Sequence, residues 1–293
     1  MTVDKNGKRI DSNERGAVLV SALLILLLLV VVLTSTSRLI VNRSSALAID
    51  SDQIELNILT TSGLEIGVYN VMSTSEEQAV EGRTNIILND SEVSIAWRGE
   101  NARLDINSAS QQSISGLIKA LGTPSDQPDK IAQEIIERRG DTGQAKEPQP
   151  SARMPLANQR PFAHPDELLS INGVSLELFH RLSPFITVYS GKKSIDPRIA
   201  SEMVLSNLPE MTSLRLQDLL TLHGRSKKDS VAILASLGIS RSDVDIQQCQ
   251  TTRFTITVRL KSGVVRSVEI VAAIFPNDVE PYRILYYYSS NLN

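Results

Sequence analysis

Residues 16–33 read GAVLVSALLILLLLVVVL, and this apolar run decides how the rest of the chain is placed. It carries no charge, and the next charged residue along the chain is Arg38. A helix that crosses a bilayer needs about 20 apolar residues at a rise of about 1.5 Å each. The run therefore predicts an N-terminal membrane helix, with the more polar remainder of the chain on one side of the membrane.

The segment before the apolar run is short and charged. Its basic residues are Lys5, Lys8, Arg9 and Arg15, and its acidic residues are Asp4, Asp11 and Glu14. The positive-inside rule keeps this segment in the cytoplasm and sends the C-terminal body across the membrane. Ser35, Thr36 and Ser37 follow the run without the Ala-x-Ala pattern of a secretory cleavage site. From these residues alone, an ordinary uncleaved signal anchor is one interpretation of the segment.

Composition excludes several classes of function. A net charge of −3 and a pI near 5.7 do not indicate a nucleic-acid-binding protein. Cys249 is the only cysteine, so no intrachain disulfide can form, and we expect a buried thiol. The histidines lie at 164, 180 and 223 without metal-ligand spacing. With no catalytic triad, phosphate loop or carboxylate pair in the sequence, we predict that the protein is not an enzyme; a signal-anchored periplasmic enzyme stays open as an alternative.

The flanks of the soluble part predict strands of one antiparallel sheet. Residues 85–88 and 93–97 are short β-branched runs around Asn89-Asp90, a pattern typical of a hairpin turn. Residues 253–260, 264–273 and 283–288 form further strands, with a turn at 261–263. Before the first hairpin, residues 39–72 contain no proline and continue the helix, with Leu47, Ile54, Ile58 and Val68 predicted on one apolar face.

The middle of the chain predicts an inserted helical domain with an internal repeat. Residues 104–121 (LDINSASQQSISGLIKAL) and 195–208 (IDPRIASEMVLSNL) share an aspartate next to isoleucine, an Ala-Ser pair that can cap a helix, and helical apolar spacing. Residues 128–139 and 165–182 predict further helix pairs, and 140–161 an exposed loop that includes Asp141 and Glu147. The fold class is therefore α+β: a long N-terminal helix packed on an antiparallel sheet, with a large all-α insertion.

The junction at Gly16 resembles the prepilin leader of type IV pilins and type II secretion pseudopilins. The resemblance implies that a prepilin peptidase cleaves between Gly16 and Ala17 and that Ala17 is then N-methylated. Most such proteins have glutamate at the fifth mature position, where this chain has Ser21. The family of general secretion pathway protein K, a minor pseudopilin, characteristically lacks that glutamate. A subunit that caps a filament has no subunit above it for such a glutamate to pair with.

Longer motifs resemble two families. The order LDINSA, ALG, IAQEIIERRG and FAHPDELLSINGVSLELFHRLSPFITV resembles the tandem helix-hairpin-helix unit of membrane-anchored competence DNA receptors, over residues 104–188. The K pseudopilin family has a similar unit followed by segments like SIDPRIASEMVLSNLP and RFTITVRLKSGVVRSVEIVAAIF, so that resemblance covers nearly the whole chain. The hairpin-like turns are at Gly122 and Gly173. The first has two prolines and two aspartates nearby, which opposes phosphate binding.

The K resemblance implies a minor pseudopilin at the tip of the type II secretion pseudopilus, which starts assembly and supports export across the outer membrane. Its expected domains are a leader (1–16), a transmembrane and pilin-like helix (17–72), an α/β head (73–108 and 245–293) and an inserted helical domain (109–244). The implied partners are the I and J minor pseudopilins, the major pseudopilin, the prepilin peptidase and the inner-membrane secretion platform. The implied location is the bacterial inner membrane, single-pass, with the body in the periplasm. The alternative is a membrane-anchored periplasmic DNA-binding protein.

No cofactor is predicted. Some pseudopilins of this system bind calcium through acidic loops, so the resemblance allows a calcium ion. The chain departs from the family's acidic motifs at residues 132–135 and 140–143, and we assign no metal ligands.

Overall fold

The structure is a computed structural model, and it describes residues 12–73, 80–124, 127–140, 160–225, 227–237, 243–246 and 249–292. The helices are α1 (Ser12–Ser73), α2 (Gln111–Ala120), α3 (Pro128–Arg138), α4 (Leu176–Leu182), α5 (Glu202–Ser206), α6 (Ser213–Leu220) and α7 (Lys227–Leu237). The strands are β1 (Glu81–Leu88), β2 (Ser91–Gly99), β3 (Leu104–Asp105), β4 (Ile186–Thr187), β5 (Thr251–Arg259), β6 (Val265–Ile274) and β7 (Tyr282–Leu292). Short 3-10 turns cover Glu100–Ala102, Pro165–Ser170 and Ser183–Phe185.

The chain divides into two compact units, Met1–Asn57 and Ile58–Asn293. The described part of the first unit is helical and is the beginning of α1. The second unit contains the end of α1, the sheet and all the other helices that the structure describes. The predicted domain boundaries at 16, 72, 108 and 244 stay predictions.

The main sheet of the described residues has the strand order β1-β2-β5-β6-β7, and every neighbouring pair is antiparallel. Asn89 and Asp90 join β1 to β2 with φ angles of 50° and 62°, which is the geometry of a type I′ hairpin turn. Strands β2 and β5 are neighbours although helices α2 to α7 lie between them in sequence. The predicted hairpin and the pairing of the chain's two flanks into one sheet are therefore confirmed.

One face of the sheet packs against the end of α1. The register aligns Ile95 of β2 with Ile256 of β5, and Ile256 with Val268 of β6, and all three are fully buried. Gly63 and Gly67 of α1 lie over this row. A Cβ at Gly67 would come within 2.9 Å of the Phe254 ring, and one at Gly63 within 2.9 Å of Ile256. Because only hydrogen fits at both positions, the helix backbone comes close to the sheet.

The insertion between β2 and β5 has its own apolar core. It includes Ile114, Leu117 and Ile118 of α2 and Ile131 and Ile135 of α3, all at most 2% exposed. The same core continues through residues 162–186 into α5 and α6.

The predicted internal repeat is present in the backbone. Ser110 caps α2 by accepting the N–H of Ser113, and Ser201 caps α5 by accepting that of Val204. The aspartate five residues before each serine also has the same role in both copies: its carbonyl accepts the Ala109 N–H at 2.7 Å in the first and the Ala200 N–H at 3.0 Å in the second. The Ala-Ser pairs are therefore helix caps, as predicted.

Two expectations differ from the structure. Val68 is 3% exposed whereas Ile58 is 57% exposed. The prediction that both residues lie on one apolar face of the helix is therefore wrong. Gly63 and Gly67 determine which side of α1 faces the sheet, because the helix backbone packs closely against the sheet at these two residues. The predicted all-α insertion (109–244) is also not purely helical, because its strand β4 pairs in parallel with β3 just before the insertion, and a parallel bridge joins Ile195 to Val244. Such short strands are too brief to show alternation in a sequence.

Candidate functional site

The predicted processing site lies near the beginning of α1. Gly16, Ala17 and Ser21 all fall within the helix Ser12–Ser73, and Ser21 is exposed. The residues before Ser12 lie outside the described part of the chain. A search of the described residues finds no helix that is both long and apolar enough to cross a membrane. Cleavage, methylation and anchoring stay predictions.

In the second unit, α1 turns one side away from the sheet. Ile58, Glu65, Tyr69 and Met72 recur at helical spacing and are exposed, with Tyr69 at 68%. We call these four residues the outer face of α1. Exposed large apolar side chains grouped in this way are typical of surfaces that bind another protein.

The first hairpin-like turn joins α2 to α3. Gly122 has a φ of +84°, a left-handed conformation that favours glycine, and its N–H donates to the Lys119 carbonyl at 3.0 Å. Ser125 and Asp126 of this turn lie outside the described residues. The turn therefore uses the Gly122 N–H to close α2.

The second hairpin-like turn precedes α4. Gly173 has a φ of +87°, and a Cβ there would lie 3.1 Å from the Ile131 side chain. The Glu134 carboxylate accepts the backbone N–H of Asn172 at 3.2 Å and its side-chain amide at 2.9 Å. A phosphate would need such an N–H, and here a carboxylate already occupies it. The geometry of this turn opposes the DNA-binding alternative.

A buried ionic network joins the insertion to the sheet where the chain leaves β2. Glu100 is 1% exposed and accepts from Arg253 of β5 at 2.6 and 3.1 Å. Thr187 of β4 donates to the same carboxylate, and Arg253 also pairs with Glu269 of β6. Burial by itself lowers the pKa of Arg253, but Glu100 and Glu269 more than offset this, so the net shift is upward. Sequence reasoning missed this network because its members are far apart in the chain.

The repeated aspartates hold the loops that lead into α2 and α5. Asp105 accepts the N–H groups of Asn107 and Gly191 and the hydroxyl of Ser190, each at 2.8 Å. Asp196 accepts from the Arg198 guanidinium at 3.0 and 2.6 Å, and both side chains are at most 3% exposed. Arg198 also donates to the Ile246 carbonyl at 3.1 Å, which ties the second repeat to the chain's return toward β5.

The remaining chemically reactive side chains do not form a site in the described residues. Cys249 is buried, as predicted, and burial raises the pKa of its thiol. No group of three or more His, Cys, Asp and Glu side chains in the described ranges is placed to hold a metal ion. Asp141 and Glu147, predicted as loop charges, lie outside the described residues.

Comparison with known proteins identifies what this architecture resembles. Residues 69–191 match the family model of type II secretion system (T2SS), protein K. The fold matches a chain of the crystal structure of the GspK-GspI-GspJ complex from enterotoxigenic Escherichia coli, with a TM-score of 0.57 and 13% identity, over 82% of this chain and 99% of that one. No curated protein sequence matches the chain.

A long helix on an antiparallel sheet with an inserted helical unit is therefore the fold of a subunit in a solved secretion-system complex. The predicted resemblance to type II secretion protein K, a minor pseudopilin, is confirmed by the family match and the shared fold. The matched segment runs from the end of α1 to just past β4.

Proposed function

We propose that this protein is a non-enzymatic minor pseudopilin at the tip of the type II secretion pseudopilus, where it starts filament assembly and so supports export across the outer membrane. The observation that carries the proposal is the match of residues 69–191 to protein K on a fold shared with a subunit of a pseudopilin complex. Its partners are I-type and J-type minor pseudopilins, because the similar structure is a complex of GspK with GspI and GspJ.

A position at the tip agrees with two features of this chain. The insertion contributes helices α2 to α7 after strand β2. A body of this size is difficult to bury inside a filament of packed helices. Ser21 stands where most pseudopilins have a glutamate, so the chain lacks the usual acidic partner for the amine of a subunit above it. Both features suit a subunit that has neighbours below it only.

The proposed location is the inner membrane, with a single anchor and the body in the periplasm. Every described side chain from residue 23 to 33 is apolar and exposed. Burying such side chains in lipid is favourable by about 25 cal/mol per Å² of apolar surface. The prepilin peptidase, the secretion platform and the major pseudopilin belong to this proposal as partners of the leader and of the assembled filament.

Co-purification with the partners tests the assembly role. We expect the chain, co-expressed with its I-type and J-type pseudopilins, to be recovered with both. Ile58→Asp places a charge on the outer face of α1 and should abolish recovery. Leu214→Asp is a matched control, because Leu214 is at least as exposed (70% against 57% for Ile58) but lies on α6. Failure of the unaltered chain to recover either partner, or equal loss from both variants, would contradict the assembly role.

Processing of the leader tests the class of protein. Gly16→Ala should block cleavage after residue 16 in cells that contain a prepilin peptidase, and secretion in a strain that depends on the variant should fall. The mobility of the chain on a denaturing gel reads out the processing directly. Normal processing of this variant would rule out a prepilin leader.

A further inference from the structure

Besides the outer face of α1 and the ionic network, the second unit has a trough on its surface. Two cavities of about 470 Å³ each share Arg103 and Arg253 in their walls, and we call them together the trough. The first cavity lies on the face of β1, β2 and β5 that points away from α1, and the second extends to β7. Cavities of this size are in the range of ligand-binding sites.

The first cavity has an excess of positive charge. Arg83, Arg98, Arg103 and Arg253 line it, against the carboxylates of Glu81 and Glu100 only. Glu81 pairs with Arg98, and Glu100 pairs with Arg253. Both carboxylates in the wall are therefore already engaged.

Within the described residues, Arg83 and Arg103 are the two wall arginines that these ion pairs leave over, and Arg103 is the more buried of the two. In the described part of the chain its guanidinium makes no ion pair, and its hydrogen bond is to the Ser183 carbonyl at 3.2 Å. Burial lowers the pKa of Arg103 and the charge of Arg253 lowers it further, while the charges of Glu100 and Glu269 offset only part of this shift. A guanidinium has five N–H donors, so Arg103 has several available for an incoming acceptor.

The second cavity adds aromatic surface to this charge. Phe179, Tyr189, Tyr286 and Tyr288 line it. Within the described residues, the buried hydroxyl of Tyr189 has no hydrogen-bond partner. The cavity is also lined by the carboxylates Asp166 and Glu269, which would repel a continuous polyanion such as a nucleic acid. A peptide in which carboxylates alternate with apolar side chains would fit both cavities.

We propose that the trough binds an acidic peptide segment of a partner protein, with one carboxylate of that segment bound by Arg103 in the first cavity and a neighbouring side chain packed on the tyrosines of the second. Charge-assisted bonds from a guanidinium to a carboxylate are strong and geometrically specific, and aromatic surface supplies apolar contact area at low entropic cost. The trough is separate from the outer face of α1, so this binding does not depend on the proposed role in filament assembly.

Fluorescence anisotropy with a synthetic peptide tests this binding. The probe is a fluorescein-labelled peptide of repeated Glu-Ala-Tyr units, titrated with the full chain in detergent micelles at low ionic strength. We expect saturable binding that is absent for the matched Gln-Ala-Tyr peptide. Arg103→Gln should weaken binding by about tenfold or more, since it removes a charged hydrogen-bond donor. Arg259→Gln is the matched control, on the same sheet face but outside both cavities, and should leave binding unchanged.

Arg83→Gln keeps the test decisive if Arg103→Gln does not fold. Arg83 is exposed on the rim of the first cavity, and its loss should weaken binding severalfold without affecting the fold. No binding of the acidic peptide, or equal binding by the unaltered chain and the folded cavity variants, would overturn the proposal. Displacement of the peptide by millimolar inorganic phosphate would assign a free-anion site instead, and displacement by single-stranded DNA a nucleic-acid site. Either displacement would also overturn the proposal.

Discussion

Glu100 is a buried residue that joins the insertion to the sheet. It follows β2 directly, and its carboxylate meets Arg253 on the neighbouring strand and Thr187 within the insertion. From the sequence, Arg253 is one of several polar residues that alternate with apolar ones along its strand, and Glu100 is a charge at a strand end. Their pairing could not be predicted, because the two residues are 153 positions apart and the whole insertion lies between them in the sequence.

Loss of the Glu100 carboxylate should destabilise the second unit. Glu100→Gln leaves Arg253 buried with one of its two carboxylates missing, and we expect a loss of about 3 kcal/mol in the free energy of unfolding. Glu92→Gln is the control, because the Glu92–Arg259 pair is exposed on the same sheet and should be worth under about 0.5 kcal/mol. Denaturant unfolding measures both. Equal losses in the two variants would show that burial does not strengthen the Glu100 network.

Asp105 makes the stability of the first repeat dependent on pH. Burial raises its pKa above the ordinary 3.8, although hydrogen bonds from Ser190, Asn107 and Gly191 oppose the shift. The folded protein therefore holds this proton more tightly than the unfolded chain does. The stability that this contributes is fully present below the ordinary pKa and is lost as pH rises through the raised folded value.

The neutral isostere Asp105→Asn removes this titration. As pH rises above about 4, the free energy of unfolding of the variant should increase relative to that of the unaltered chain. Urea unfolding at a series of pH values measures the difference. A difference that stays constant, or that moves in favour of the aspartate with rising pH, would contradict a raised pKa at Asp105.

At the scale of elements, the sequence predicted those that have strong local signals. The hairpin at Asn89-Asp90, the strands of the chain's second flank and the caps at Ser110 and Ser201 all depend on neighbouring residues. The orientation of α1 was wrong in part, because glycines carry no apolar signal and yet decide which side of that helix meets the sheet. The short strands β3 and β4 were missed because they depend on tertiary pairing.

The close approach of α1 to the sheet should not tolerate a side chain at Gly67. Gly67→Val places a branched side chain against the fully buried Phe254 ring, and we expect a loss of about 2 kcal/mol in the free energy of unfolding through overpacking. Glu65→Val introduces the same residue on the exposed side of the helix and should cost under about 1 kcal/mol. Thermal and denaturant unfolding compare the two. A Gly67 variant as stable as the Glu65 variant would mean that the helix can move away from the sheet.

At the scale of the whole molecule, two kinds of reasoning supported the same family. The apolar run after Gly16 and the ordered motifs of the insertion predicted a K-type pseudopilin, and the family match and the shared fold confirmed that resemblance. The candidate interaction surfaces were less predictable. The turn glycines Gly122 and Gly173 could be chosen from sequence, whereas the trough around Arg103 requires strands and loops that are distant in the chain. Local patterns indicate elements, and only the folded chain places charges together.

The intact mass of the full chain, recovered from membranes with and without a co-expressed prepilin peptidase, tests the central claim most directly. A pseudopilin should lose residues 1–16 only when the peptidase is present and should gain one methyl group on the new N-terminal Ala17. A chain that keeps its full mass with active peptidase, or that is cut beyond Ser37, would contradict the account and indicate a plain anchored or secreted protein.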